Sequence, residues 1–306
     1  MEFRAARHTS DLERIETFYT QVVGLQKLGS FQNHAGYDGI FLGHPGEQWH
    51  LEFTSSKDAR EQGFDEDDLF VFYCNSRIEF EEISKHLTQQ NIPLLEPRNP
   101  YWKDNGILIE DPDGYKIVFA VKSLPLSAED ELTRLVRSKN IDNWSDLLDH
   151  VKNLPYGRNA NREDFSLVLK EAQGSCSSKH SLLKKVAQLN HIGNVKLMMG
   201  MYKMNHVNTP KIGDILIENG LEYILEAHCY LMLNNRRYDL TSSASSIHHL
   251  MEDVLEEQEI QPEQVNTFKV DYHKKYMQTW IEESATDLVF DRVWEIREEC
   301  IRRMGG

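Results

Sequence analysis

Apolar positions first recur at helical spacing over Asp11–Val23, where Leu12, Ile15, Phe18, Tyr19 and Val22 share one face. Asp11 or Ser10 can cap this helix and Gly24 ends it. Phe3–His8 reads as a strand before it. Gly39–Leu42 and Trp49–Thr54 read as strands after it, around the turn His44-Pro45-Gly46-Glu47. The rhythm then repeats. Leu69–Cys74 is an apolar strand, and Ile78–Gln90 is a helix with Phe80, Ile83 and Leu87 inward. Ile107–Glu110 and Tyr115–Val121 form a hairpin about Asp111-Pro112-Asp113-Gly114, whose Pro and Gly suit a tight reversal. Residues 1–122 are therefore predicted to hold two βαβββ units.

Ser123-Leu124-Pro125-Leu126-Ser127 breaks the pattern and marks a domain boundary, giving domains 1–122 and 123–306. Beyond it, 128–152 is helical in pattern, and Ser175–Leu189 is a central helix. Glu222–Leu233 and Arg236–Thr241 are paired strands, and helices including Asp287–Arg303 close the chain. The acidic run Glu252–Glu259 reads as a solvated helix face. The fold class is α+β in both halves, the second with helices flanking a small antiparallel sheet.

Charge narrows the partners. Residues 1–122 carry 12 basic and 21 acidic side chains, residues 123–306 carry 22 and 28, and the whole chain has a net charge of -15. Both halves would repel a phosphate backbone, so no nucleic-acid partner is expected. No apolar run approaches the roughly 18 residues of a membrane span, so no membrane partner is expected either. Met1-Glu2-Phe3-Arg4 opens no apolar leader, and Cys74, Cys176, Cys229 and Cys300 have no metal-knuckle spacing. The expectation is a cytoplasmic protein with reduced thiols and no bound cofactor.

One cysteine carries the candidate chemistry. Cys176 follows Gly174-Ser175, and Ser175 as N-cap would place it in the first turn of its helix. There the free N–H groups and the helix dipole favour thiolate. Asn234-Asn235 suits a two-residue turn, because Asn tolerates positive φ. That turn pairs 233 with 236 and 231 with 238, which puts Asp239 diagonal to His228 on one face of the sheet. Cys176, His228 and Asp239 are then the nucleophile, base and orienting carboxylate of a thiol acyl-transfer site. Glu226 shares the His228 face, whereas Cys229 points to the other. A helical cysteine is also an ordinary small core residue. Lys179 could lower the thiol pKa and His180, one turn below Cys176, could support the site, but a solvated lysine and a capped or surface histidine are the simpler readings; Lys203–Pro210 reads as a polar loop with an open role.

Two resemblances follow from these residues. Gly174, Cys176, Leu182-Leu183, the strand Leu197-Met198-Met199-Gly200, Ala227-His228 and Tyr238-Asp239-Leu240-Thr241 resemble the transglutaminase-like branch of the papain-type superfamily, over roughly 165–245. That resemblance implies a Cys176–His228–Asp239 triad acting on an amide or ester, as hydrolase, peptidase or transglutaminase-like acyltransferase. The calcium used by animal members has no acidic loop here. Asp11-Leu12, Phe18-Tyr19, Gly24-Leu25, Leu51-Glu52-Phe53-Thr54, Tyr101-Trp102 and Asp111–Val118 resemble the vicinal-oxygen-chelate superfamily of glyoxalases, dioxygenases and antibiotic-resistance binding proteins. It covers nearly all of 1–122.

The metal positions that this second resemblance implies fall on Arg4, Glu52, a site near Asp68, and Val118. Arginine and valine are not ligands, so the usual site is dismantled and no metal is expected. A shifted set of His8, His50 and Glu52 is the remaining metal option. Tyr101, Trp102 and Phe53 are expected to line a small-molecule cavity. The leading expectation is thus a cysteine acyl-transfer enzyme, taking a small-molecule or peptide substrate, fused to a glyoxalase-like binding domain. The alternative is a glyoxalase- or dioxygenase-like metal enzyme, or a metal-free binder with an inert thiol domain. A homodimer is compatible with the pairing of such modules.

Overall fold

The computed structural model describes residues 2–57, 63–284 and 288–304. The backbone divides into two compact units, Met1–Ser123 and Leu124–Gly306. Both are α+β. Among the described residues, no helix is long and apolar enough to cross a membrane.

The first unit begins with β1 (Phe3–His8), α1 (Leu12–Gln21), β2 (Gln26–His34), β3 (Tyr37–Gly43) and β4 (Trp49–Ser56). Asp11 caps α1 by accepting from the Arg14 N–H. The sheet order is β1-β4-β3-β2, with β1 parallel to β4. The second half has β5 (Leu69–Cys74), α2 (Arg77–Gln89), α3 (Pro100–Asn105), β6 (Gly106–Glu110) and β7 (Lys116–Val121). Its sheet has order β5-β7-β6, and a single bridge, Leu95 to Leu108, stands where a fourth strand would run. Ile15, Tyr19 and Phe53 from the first half pack in one core with Leu87, Ile117 and Phe119 from the second.

Asp111 ties these halves together. Its Oδ2 accepts from Arg7 Nη1 and Tyr19 Oη, both at 2.9 Å, while its Oδ1 accepts from the N–H groups of Asp113 and Tyr115. The turn residue read from sequence as a hairpin signal is therefore also a buried anchor.

The second unit holds α4 (Glu131–Arg137), α5 (Trp144–Asn153), α6 (Leu167–Lys170), α7 (Cys176–Leu189), β8 (Val195–Asn205), α8 (Gly213–Glu218), β9 (Tyr223–Leu233), β10 (Arg236–Tyr238), α9 (His248–Met251), β11 (Val254–Ile260), α10 (Thr267–Glu283) and α11 (Phe290–Met304). The sheet is antiparallel in order β10-β9-β8-β11. Ser175 caps α7 in a reciprocal capping box with Ser178. A Cβ at Gly174 would meet Lys179 Cγ at 2.8 Å, so the first turn closes only over glycine. Leu182, Leu183 and Val186 of α7 are buried in the same core as Leu197, Met199, Cys229 and Leu231 of the sheet.

Several expectations change. Gln26–His34 is a strand and Pro100–Asn105 a short helix, neither of which the hydrophobic pattern announces. The acidic run is not a helix. Val254–Ile260 is an edge strand on β8, and its charges are the kind that keep an edge from pairing further. One of them, Glu257, accepts from Tyr230 Oη and from both Arg237 Nε (3.0 Å) and Nη2. Leu183 is fully buried at the α7–sheet contact. Leu183→Ala is expected to destabilise the protein by about 2–5 kcal/mol, read as a lower denaturation midpoint in urea.

Candidate active site

The hairpin register places two of the site residues. Leu233 pairs with Arg236 and Leu231 with Tyr238, across Asn234 and Asn235 with φ of 47° and 62°. Beyond Tyr238 the chain leaves the ladder and carries Asp239 under His228. The His228 Nε2–H donates to Asp239 Oδ2 at 3.0 Å. Asp239 Oδ1 accepts from the Thr241 N–H at 3.0 Å and from Thr241 Oγ1 at 2.5 Å. Cys176 lines the same cavity as His228 and Asp239, and the sulfur and the imidazole each favour the other's charged form.

Burial by itself would push the Cys176 thiol up. The Lys269 cation, the His228 imidazolium and its hydrogen bond, and the Cys229 backbone N–H outweigh it and bring the thiol down to about 6. Burial likewise opposes a charged His228, but the Asp239 carboxylate and the Cys176 sulfur raise it well above an ordinary histidine. Asp239 is held well below the carboxylate range against its burial, first by His228. These directions agree with a thiolate–imidazolium pair braced by a carboxylate.

His180 is not a surface group. It is fully buried. Its Nδ1–H donates to the Cys176 carbonyl at 2.7 Å, and its Nε2 accepts from the Leu240 N–H at 2.8 Å. Desolvation brings it down to about 4, so it stays neutral and acts as a clamp between helix start and strand end. Lys179 is buried too, donating to the carbonyls of Leu154 and Thr241 (2.7 Å for the latter). Glu226 does face the site, but as the partner of Arg297, through Nε at 2.5 Å and Nη2 at 2.7 Å. Cys229 is buried, with its thiol pushed up chiefly by desolvation, and Ser177 Oγ donates to its sulfur at 3.7 Å.

A cavity of about 350 Å³ opens beside Cys176, His228 and Asp239. Tyr156 and Tyr202 flank the sulfur, and Ile301 and Met304 supply an apolar wall. The polar loop after β8 acquires a place here, because Asn208, Thr209 and Lys211 line the same cavity. Asn205 and Asn208 fasten that loop to Asp253, at 3.0 and 2.8 Å. Lys269 of α10 and Arg297 of α11 escaped sequence reasoning. Each lies far along the chain from Cys176, and no local spacing points to them.

The first unit does not assemble the residues expected of it. Arg4 forms an ion pair with Glu52 at 3.0 Å, which fills the surviving metal position with a cation. Val118 is core. His8 Nε2 accepts from the Ser56 N–H at 3.1 Å, and His50 faces Glu2 at 3.7 Å, so the shifted set does not converge. No group of three His, Cys, Asp or Glu suited to a metal occurs among the described residues. Phe53 is fully buried under Tyr19 whereas Tyr101 is exposed, so they do not line one cavity.

Comparison with known proteins bears on this unit. The family description of the YycE-like N-terminal domain matches residues 3–54, and that of the YycE-like C-terminal domain matches residues 67–121. The YycE protein of Bacillus subtilis strain 168 is 39% identical over 119 residues, which is 39% of this chain and 86% of the relative. The chain belongs to the YycE-like family. That membership rests on the first unit, which holds both matched segments. A crystal structure of a Bacillus subtilis YycE protein of unknown function is 38% identical, with a TM-score of 0.36, covering 40% of this chain and 89% of that one. The glyoxalase I of Leishmania major is 20% identical, with a TM-score of 0.32, covering 45% and 91%. In this YycE-like domain the positions that the resemblance assigns to metal ligands do not fit a metal, because two of them hold Arg4 and the core residue Val118, and the Arg4 guanidinium neutralises Glu52.

Two outcomes follow. Glu226→Gln removes the more buried of the two carboxylates on Arg297, leaving Glu298 alone to pair it, and is expected to cost about 3 kcal/mol at neutral pH. The folded Glu226 titrates at about 2 against an ordinary 4.5. Its contribution is therefore full above the ordinary value and is lost as pH falls toward 2, so acid melts of the variant should show a flatter limb. Secondly, an excess of Mn, Ni or Zn should leave the melting temperature unchanged. A stoichiometric metal that disappears in Glu52→Ala would contradict the lack of fit.

Proposed function

We propose that the second unit is a cysteine-dependent acyl-transfer enzyme, transglutaminase-like in its use of Cys176, His228 and Asp239. The single observation that carries this reading is His228, which bonds Asp239 at Nε2 at 3.0 Å and lines one cavity with Cys176, whose sulfur favours the charged imidazole. The comparisons speak for the first unit alone. The reading rests on the site's own geometry.

In this reading the Cys176 thiolate attacks the carbonyl carbon of an amide or ester, and the carbonyl oxygen becomes an oxyanion. The N–H of Cys176 lies in the first turn of α7, where no helical carbonyl takes it, and it can donate to that oxyanion. The His228 imidazolium gives its proton to the leaving nitrogen or oxygen as the C–N or C–O bond breaks. A thioester on Cys176 results. Neutral His228 then takes a proton from water or an amine, which attacks the thioester and releases the thiolate. Asp239 holds the imidazole with Nε2 protonated throughout.

A second reading is favoured by the Arg4–Glu52 ion pair together with the YycE-like match. In it the protein is a metal-free small-molecule binder through its first unit, and the thiol site is inert. Ligand-dependent stabilisation without turnover would distinguish it.

Alkylation of Cys176 by iodoacetamide, followed by mass spectrometry across pH, tests the enzyme reading. The rate is expected to rise with a midpoint near 6. In His228→Ala the midpoint should move to or beyond the ordinary thiol value of about 8.5. Cys229 should react far more slowly. An ordinary midpoint for Cys176 in the wild type would overturn the reading and leave the binding one.

A further inference from the structure

Among the buried charged groups outside the triad, Lys269 approaches the sulfur through Ser177. Lys269, on α10, is only 7% exposed. Its ammonium donates to Ser177 Oγ at 2.7 Å. Ser177 follows Cys176 directly, and its Oγ lies 3.9 Å from the Cys176 sulfur. Two short steps thus separate a buried cation from the candidate nucleophile. Ser177 Oγ is its hydrogen-bond acceptor, and a hydroxyl cannot balance a charge.

The groups around the sulfur can be paired off. From β9 come His228 and Cys229, and from β8 comes Tyr202. Tyr156 approaches from the segment before α6, and Lys179 and His180 belong to α7 itself. His228 is matched by Asp239 at 3.0 Å. Behind Lys269, Arg297 is matched by two carboxylates, Glu226 at Nε (2.5 Å) and Glu298 at Nη1. His180 and His273 are held neutral, chiefly by desolvation. Tyr156 and Tyr202 are kept protonated by burial, and so is Cys229. Lys179 spends its ammonium on two backbone carbonyls beside Asp239. The anions that face Lys269 are the Glu226 carboxylate, which it shares with Arg297, and the Cys176 sulfur, which it approaches through Ser177.

We propose that Lys269 is a positioning residue for the thiol: its buried ammonium, anchored on Ser177, is the counter-charge that keeps Cys176 an anion between turnovers. This rests on the acyl-transfer reading of the same site. It adds a second cation, supplied by the closing helices, to the imidazolium. Two charges so close in a site shielded from water interact strongly, so removing one must be felt by the other. The consequence is regulatory as well as chemical. Any event that loosens α10 from α7 would raise the thiol's affinity for its proton and quiet the site without touching His228.

The test compares Cys176 alkylation across pH in the wild type, Lys269→Gln, Lys269→Met, Lys269→Arg and His228→Ala. Lys269→Gln keeps a donor for Ser177 but carries no charge. It is expected to move the midpoint up and to slow alkylation at about pH 6 by roughly tenfold or more. Lys269→Met should do the same and stands in if the glutamine variant fails to fold, and Lys269→Arg should retain the early midpoint. A purely structural lysine would change the melting temperature of these variants and leave the pH profile alone. An early midpoint in the wild type that persists in a folded Lys269→Gln or Lys269→Met overturns this inference alone. An ordinary midpoint in the wild type overturns the acyl-transfer reading with it.

Discussion

A neutral imidazole fastens the first turn of α7 to the end of β10. His180 donates to the carbonyl of Cys176 and accepts from the N–H of Leu240, so the segment carrying Asp239 is held at a set distance from the helix start. A charged imidazolium could not accept at Nε2, so the clamp depends on the burial that keeps His180 uncharged. Remove that bond and, among the described residues, the segment keeps a single tie to α7, the Lys179 bond to the Thr241 carbonyl. Asp239 and Thr241 then lose their frame, and His228 loses its orientation. Lys179, one residue earlier, braces the same segment through the Thr241 carbonyl. The helix N-terminus therefore does three jobs with consecutive residues: it presents a sulfur, ties down a lysine and seats a histidine.

This arrangement explains why α7 is polar yet buried. Cys176, Ser177, Ser178, Lys179, His180 and Ser181 are all buried, which would be costly if any polar group lacked a partner. Each side-chain hydrogen bond runs to a backbone group or to a neighbouring element: Ser178 to the cap, Ser181 to the carbonyl of Ser178, Ser177 to Lys269. Satisfied networks of this kind specify one packing and tolerate few alternatives. The Glu226–Arg297 pair extends the network to α11, and the Tyr230–Glu257–Arg237 cluster extends it to the sheet edge. The cavity is thus lined by elements distant along the chain, each held by a buried polar contact.

The first unit shows the opposite economy. Its YycE-like family is matched over both halves of the repeated strand–helix–strand pattern, yet the positions that a chelate would use hold no ligand set among the described residues. Arg4 against Glu52 turns a ligand into half of an ion pair. Arg7 spends one nitrogen on Asp111 and stacks over Tyr115 and Phe64, with ring centroids 3.8 and 4.5 Å away. The first strand thus contributes the guanidiniums of Arg4 and Arg7, where a chelate would need neutral or anionic donors.

The sequence by itself determined the local geometry. Ser175 had to cap α7, Asn234-Asn235 had to turn, and alternation along β9 had to put His228 and Glu226 on one face. These follow from propensity, turn chemistry and period, which act over a few residues. Asp11 and Asp111 were legible for the same reason. The tertiary structure decided what happens between elements. Lys179 and His180 read as solvated because lysine and histidine on a helix usually are; only the packing of Leu154, Leu240 and Thr241 over that turn buries them. The run Val254–Ile260 reads as a helix face by charge, but pairing with β8 made it an edge strand and gave Glu257 two partners. Lys269 and Arg297 had no local signal at all. A buried charge is tolerated only when the fold brings a partner from far along the chain, and no short-range pattern records that partner.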